Sequence, residues 1–243
     1  MKRTLMVLGA VALCVPLAFM GWLVAAAKWT KLDATTVRMP MGMRQMVAQV
    51  VTQQAAWDDR PTFARAVKLD PESALGWDGL CSSDGVAKDA KTELANCRKA
   101  VALSDNATDE NHIGEAQEKL GETCASVDAY RKASVLSTGG WAYLDNMAQA
   151  ALKCKDLPTA RAGFEAAVEN ASKGLTNKDA DDDTKQDAKE SVSTDREFLI
   201  VVYDRMKEPQ LADATCKVEH PEWKGCACAI DKDGDVDCAE KKR

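Results

Sequence analysis

The sequence predicts an all-α fold, an array of helical hairpins, and three observations carry that prediction. Alanine fills 39 of 243 positions, while six Trp, three Tyr and four Phe supply few large rings. Such a composition suits closely approaching helices and not sheets of β-branched residues. A motif with a spacing of three then recurs: Phe63-x-x-Ala66, Cys97-x-x-Ala100, Tyr130-x-x-Ala133 and Phe164-x-x-Ala167, at intervals of 34, 33 and 34 residues. A fixed period in this range marks stacked supersecondary units. Ahead of each motif lies an apolar stripe at helical spacing: Met43, Met46 and Val47; Trp77, Leu80 and Cys81; Ile113 and Gly114; Leu144, Met147, Ala148 and Ala151. Residues three and four apart share one helix face.

The first element is residues 1–28. Lys2 and Arg3 precede an apolar run over 4–27, and Lys28 restores charge. The length of the run fits an uncleaved transmembrane anchor. Ala25-Ala26-Ala27 fits the cleavage site of a signal peptide. Both readings put the rest of the chain outside the cytoplasm, because the basic end stays inside. A periplasmic or other extracytoplasmic location is therefore expected, with the membrane as a partner through residues 4–27 if they are retained. The net charge of −6 without a basic stripe argues against nucleic acid.

Residues 40–174 read as four repeats starting near Pro40, Ala74, Ala107 and Trp141, with Phe63, Cys97, Tyr130 and Phe164 at repeat position 24 and Ala at position 27 in all four. Trp77 and Leu80 then fall on positions 4 and 7, Gly114 and Ala148 on position 8, Ala160 on position 20 and Pro71 on position 32. In these features the chain resembles the tetratricopeptide repeat (TPR) family, and Asp156 to Val168 is the best-matching stretch. Position 20 departs from the small residue of the family at Asp59 and Glu93. The resemblance implies a solenoid that binds a peptide or protein along its concave face, which the first helix of each repeat lines. The groove positions it implies are Arg44, Asp78, Asn111, Glu115, Glu118, Lys119, Asp145, Gln149 and Lys153, with Leu75 and Leu152. The set is polar, and the carboxylate clamp of the family is not reproduced in it.

Thr176 to Glu190 carries acidic and basic side chains and no apolar residue larger than alanine, so 175–190 reads as an acidic linker. Ala188, Val192, Leu199, Val202, Tyr203 and Met206 follow mostly at spacings of three, four or seven. They predict a helix from about Thr184 to Met206 whose packed part, 191–208, caps the open face of the last repeat. The lesser alternative for the apolar run Phe198 to Tyr203 is a buried strand.

Nine cysteines complete the pattern. Cys14 lies in the N-terminal run, and an even number remains for an oxidising compartment. The repeat register sets Cys81 against Cys97 on facing helices and Cys124 near Cys154, so those pairs are expected as disulfides; Cys81 and Cys97 would also serve as small core residues. The tail, 209–243, holds Cys216, Cys226, Cys228 and Cys238, which read as two disulfides or, less well spaced, as a metal site. A β-hairpin from Cys228 to Cys238 turning at Asp233-Gly234 is expected there. Asp231-Lys-Asp-Gly-Asp235 also opens like a calcium loop, but Val236 and Lys242 stand where Gly and Glu are required. With only His112 and His220 and no nucleotide or hydrolase motif, the chain reads as a non-enzymatic scaffold needing no cofactor. The alternative is a thiol- or metal-handling protein acting through the tail.

Overall fold

The computed structural model describes residues 41–241 apart from 57, 88 and 139. The expected signal or anchor segment therefore lies outside the described residues. The chain divides after Ser104 into two compact units. The first holds α1 (Met41–Gln54), α2 (Arg60–Leu69), α3 (Ala74–Ala87) and α4 (Ala90–Leu103). Consecutive helices pack on one another, and α1 also touches α3. The second holds α5 (Ala107–Lys119), α6 (Thr123–Leu136), α7 (Trp141–Lys153), α8 (Leu157–Thr176), α9 (Asp182–Met206) and α10 (Pro209–Glu219). It ends in the antiparallel strands β1 (Cys226–Ile230) and β2 (Val236–Glu240). Both strands lie against α9.

Local chemistry starts and stops these helices. Asp59, Asp89, Asp156 and Asp181 each cap a helix by accepting from the backbone N–H of the Thr three residues on. Asp59 and Asp89 also bind the Thr62 and Thr92 hydroxyls. These contacts satisfy first-turn donors that the helix itself cannot pair. At the other end, α5, α7 and α9 stop through one device. Gly121, Lys155 and Lys207 take positive φ of 79°, 63° and 62°. The next amide then reaches back five residues: Glu122 to Gln117, Asp156 to Ala151 and Glu208 to Tyr203, at 2.8–2.9 Å. This is the Schellman closure, which turns the chain sharply and lets the next helix run antiparallel. Gly121 meets it without strain; Lys155, 34 residues later at the same repeat position, meets it at about 1 kcal/mol relative to glycine.

Each hairpin closes by setting a large side chain on a small one. Gly114 of α5 lies so near Tyr130 of α6 that a Cβ there would come within 2.5 Å of the ring. Between the first and second repeats a Cβ at Gly79 of α3 would come within 2.1 Å of the Phe63 ring of α2. Ala148 and Phe164 share the core of the second unit, both fully buried. The second repeat lacks a ring at this position, and there Cys81 bonds Cys97 through a 2.06 Å S–S bond. A covalent link replaces the packing contact. Cys124 bonds Cys154, joining the start of α6 to the end of α7.

Helix α9 covers the last hairpin. Phe198 stacks on Phe164 with ring centroids 5.1 Å apart. Tyr203 donates to Glu165 at 2.8 Å, and Arg161 pairs with Glu208 at 3.0 Å. The run Phe198 to Tyr203 is helical, not a strand, because it faces apolar surface of α8 on one side and the tail on the other. The linker expected over 175–190 is shorter than its composition suggests. Helix α8 runs to Thr176 and α9 begins at Asp182, its first turn capped by Asp181, so the polar residues 182–190 are an exposed helical face. In the tail, α10 precedes the hairpin. Cys216–Cys226 ties α10 to β1, and Cys228–Cys238 ties β1 to β2 at directly paired positions. The turn spans five residues, 231–235, instead of two. Asp231 Oδ1 accepts from the amides of Asp233, Gly234 and Asp235 at 2.8–3.0 Å, which stabilises the wider loop.

Gly114→Ala is expected to lower unfolding free energy by about 1–3 kcal/mol, the usual range for forced overpacking, because Tyr130 is buried and has nowhere to move. Replacing both Cys81 and Cys97 by Ala opens a 16-residue separation and should cost about 3 kcal/mol by chain entropy. Equilibrium denaturation without reductant checks both.

Candidate functional site

The groove positions implied by the repeat register fall in both units, and each unit is described in turn. In the first, Arg44 of α1 is half-buried, and its Nε has no hydrogen-bond partner among the described residues. Leu75 and Asp78 of α3 line a cavity of about 260 Å³ with Thr52, Phe63, Gly79 and Ser82.

In the second unit α5 carries Asn111, Glu115, Glu118 and Lys119, and α7 carries Asp145, Gln149 and Lys153. Most of these side chains hold one another. Asn146 Nδ2 donates to Asn111 Oδ1 at 2.9 Å, and Asn111 Nδ2 donates to Glu115 Oε1 at 2.6 Å. Lys153 Nζ binds Glu118 Oε1 at 3.0 Å, while the Tyr130 hydroxyl donates to Glu118 Oε2 at 3.1 Å. Gln149 Nε2 donates to Asp145 at 3.0 Å. The ties between α5 and α7 join residues 35 apart, so they are repeat-to-repeat rungs as well as groove surface. Lys119 stays exposed. Leu152 is buried, in one core with Phe198 of α9 and with Ile230 of the hairpin packed against it.

Asp195 of α9 joins this network, and nothing in the repeat pattern marks it. It is only 1% exposed. Ser191 Oγ donates to it at 3.2 Å, and the Asp145 carboxylate faces it. Burial, then the neighbouring Asp145 charge, push its pKa well above the ordinary carboxylate range. Asp195 therefore keeps its proton near neutrality. Asp195 lies 50 residues beyond Asp145 on a helix outside the four repeats, and only tertiary packing brings the two carboxyls together.

A second cavity, of about 290 Å³, opens where α7, α9 and the hairpin meet. Leu152, Phe198 and Ile230 form its apolar part, and Gln149, Lys153, Lys155 and Arg205 its polar part. The tail residues read as possible ligands are otherwise engaged. Cys216, Cys226, Cys228 and Cys238 are joined in two disulfides, and a disulfide sulfur is neither a thiolate nucleophile nor a zinc ligand. Among the described residues the tail therefore offers no free thiolate to the thiol- or metal-handling alternative. Asp231 spends one carboxylate oxygen on three turn amides. His220 stacks on Trp223 at 3.8 Å with Nε2 3.5 Å from Glu197.

No protein-family model matches the sequence, and no curated protein matches it. Solved structures do. One is YrrB, a TPR protein with an unusual peptide-binding site, 16% identical, with 82% of this chain and 93% of that chain covered and a TM-score of 0.55. Another is the C-terminal part of a TPR repeat-containing protein from Cytophaga hutchinsonii, 14% identical, covering 79% and 73%, with a TM-score of 0.53. A third, MamA, is 17% identical over 66% and 95%, with a TM-score of 0.50. The fold of this chain is the TPR helical-hairpin array. Among the described residues no helix is long and apolar enough to cross a membrane.

Asp195 fixes the sign of a pH effect. Its pKa is raised in the folded state, so its stabilising contribution is complete below the unfolded value of about 4 and falls as pH rises above it. Asp195→Asn keeps a donor toward Asp145 and removes the charge. Thermal unfolding at pH 5 and pH 8 should show the parent losing more stability than the variant over that interval; parallel losses would contradict the assignment.

Proposed function

We propose that this chain is an exported or membrane-anchored TPR scaffold of the cell envelope, binding a protein partner along the first-helix faces of its repeats and performing no chemistry of its own. The observation that carries the reading is the row of polar side chains shared by α5 and α7. Asn111, Glu115, Glu118, Gln149 and Lys153 lie side by side on one face, while the faces toward α6 and α8 are built from Ala, Gly and buried rings. A polar face held rigid by its own rungs offers a preorganised surface to an extended segment. The four disulfides support a location outside the cytoplasm, where such bonds persist. The apolar run over residues 4–27 supplies the means of export or anchoring.

Two measurements test the reading. Alkylation of the native protein in intact cells should find the eight cysteines after Cys14 blocked, and external protease should reach the chain after the outer barrier is opened. Free thiols in a protease-protected chain would overturn the location. Purification of the full chain under non-reducing conditions should recover a protein partner, and Glu115→Lys or Lys119→Glu should reduce recovery about tenfold through charge reversal at the face. Unchanged recovery in both variants would move the binding surface elsewhere.

A further inference from the structure

The cavity between the ends of α7 and α9 and the hairpin turn shares Gln149, Leu152 and Lys153 with the groove that the register implies and extends past it to Lys155, Arg205 and the hairpin, and its chemistry is unlike the rest of this acidic chain. Three cations border it, Lys153, Lys155 and Arg205, and among the described residues no carboxylate does. Lys153 is already bound to Glu118. Lys155 and Arg205 are exposed and have no ion-pair partner among the described residues. Beneath them lie Leu152, Phe198 and Ile230. Positive groups over an apolar floor complement a ligand that is negative at one atom group and apolar beside it.

Two further features point the same way. Lys155 sits in the left-handed conformation, with φ of 63°, at the repeat position where Gly121 serves the preceding hairpin. Lys207 takes the same conformation at the end of α9, and of the two Lys155 is the one that borders the cavity. The far wall is rigid: Ile230 and Gly234 belong to a hairpin held by Cys228–Cys238, and β1 is tied to α10 by Cys216–Cys226. A wall fixed in advance reduces the ordering cost of binding.

We propose that this cavity binds an Asp or Glu side chain of a partner segment, with a large apolar side chain beside it. The carboxylate lies between Lys155 and Arg205, and the apolar group rests on Leu152, Phe198 and Ile230. The inference deepens the scaffold reading above and rests on it, since it names the chemistry of the segment that the scaffold captures.

The test titrates isotope-labelled full-length protein with an end-blocked peptide, acetyl-Gly-Ser-Glu-Leu-Ser-Gly-amide, and follows amide shifts. Saturable shifts should centre on Leu152, Lys155, Phe198, Arg205 and Ile230. Replacing the peptide Glu by Gln should weaken binding about tenfold, as should Lys155→Gly and Arg205→Gln in the protein. Lys155→Gly carries a second readout: it should raise the unfolding midpoint by relieving the left-handed lysine while it weakens binding. A lysine there only to offset the end of α7 would not give that pairing of a gain with a loss. The proposal falls if no saturation occurs by about 1 mM peptide, if the shifts lie elsewhere, or if both protein variants bind as the parent does. It also falls if the Gln peptide with a free C-terminal carboxylate binds as well as the end-blocked Glu peptide, which would assign the site to chain ends. Recovery of the native partner that survives both variants would sink this site and leave the scaffold reading standing. Peptide binding that persists while the Glu115→Lys and Lys119→Glu variants keep full partner recovery would do the reverse.

Discussion

Close approach of one helix to another through a residue with little or no side chain is the constraint on which this structure depends. Gly114 under Tyr130, within one repeat, and Gly79 under Phe63, between two, let adjacent helices come near enough for a ring to take the space of a missing side chain. Gly163 of α8 against Ala148 of α7 repeats the close approach with one methyl group, a Cβ at Gly163 falling 2.8 Å from that of Ala148. Packing of this kind is unforgiving, because interiors have no spare volume to absorb an added atom. It also explains the cysteines of the second repeat. Where position 24 lacks a ring, helix contact would be thin, and Cys81–Cys97 restores it with a bond. The alanine-rich composition follows from the same rule: most of the fully buried small residues, such as Ala66, Ala100, Ala133 and Ala167, are the low sides of helix contacts.

Closing the hairpins on small residues leaves the first-helix faces free to be polar. On α5 and α7 that freedom is used twice. Asn111, Asn146, Glu118 and Lys153 tie one repeat to the next; of these Asn111 is buried, Asn146 and Glu118 are half-buried and Lys153 is exposed. Such a network trades ligand contacts against internal ones, since a nitrogen held by a carboxylate must release it to bind another. The cations without such a hold, Lys155 and Arg205, lie beyond the rungs, at the ends of α7 and α9. The tail turns that end of the unit into a concave site by placing Ile230 and Gly234 opposite them.

Repeat positions were legible because their signal is local and periodic. The first helices start at Met41, Ala74, Ala107 and Trp141, at or one residue after the starts set by Phe63, Cys97, Tyr130 and Phe164. The Asp-x-x-Thr caps at Asp59, Asp89, Asp156 and Asp181 were equally present in the chain, and they would have extended α9 back to Asp182 in place of a linker. Asp195 was not legible. Its role needs Asp145 beside it, and no spacing rule relates residues on different helices of an irregular cap. The same holds for the surroundings of Leu152, since Phe198 and Ile230 beside it come from α9 and the hairpin. The hairpin turn differs for a local reason that composition hides: one Asp231 oxygen gathers three amides, and a five-residue loop results.

From sequence alone came the fold class, the repeat register and the facing of Cys81 with Cys97, because each depends on periodicity, which the chain carries in its order. Only tertiary structure decided which polar side chains are spent on one another, which carboxyl keeps its proton and where cations meet apolar floor. Those outcomes depend on distances between residues 35 to 80 positions apart, which short spacing rules do not reach. They are set where α9 and the disulfide-held tail come to rest on the last hairpin.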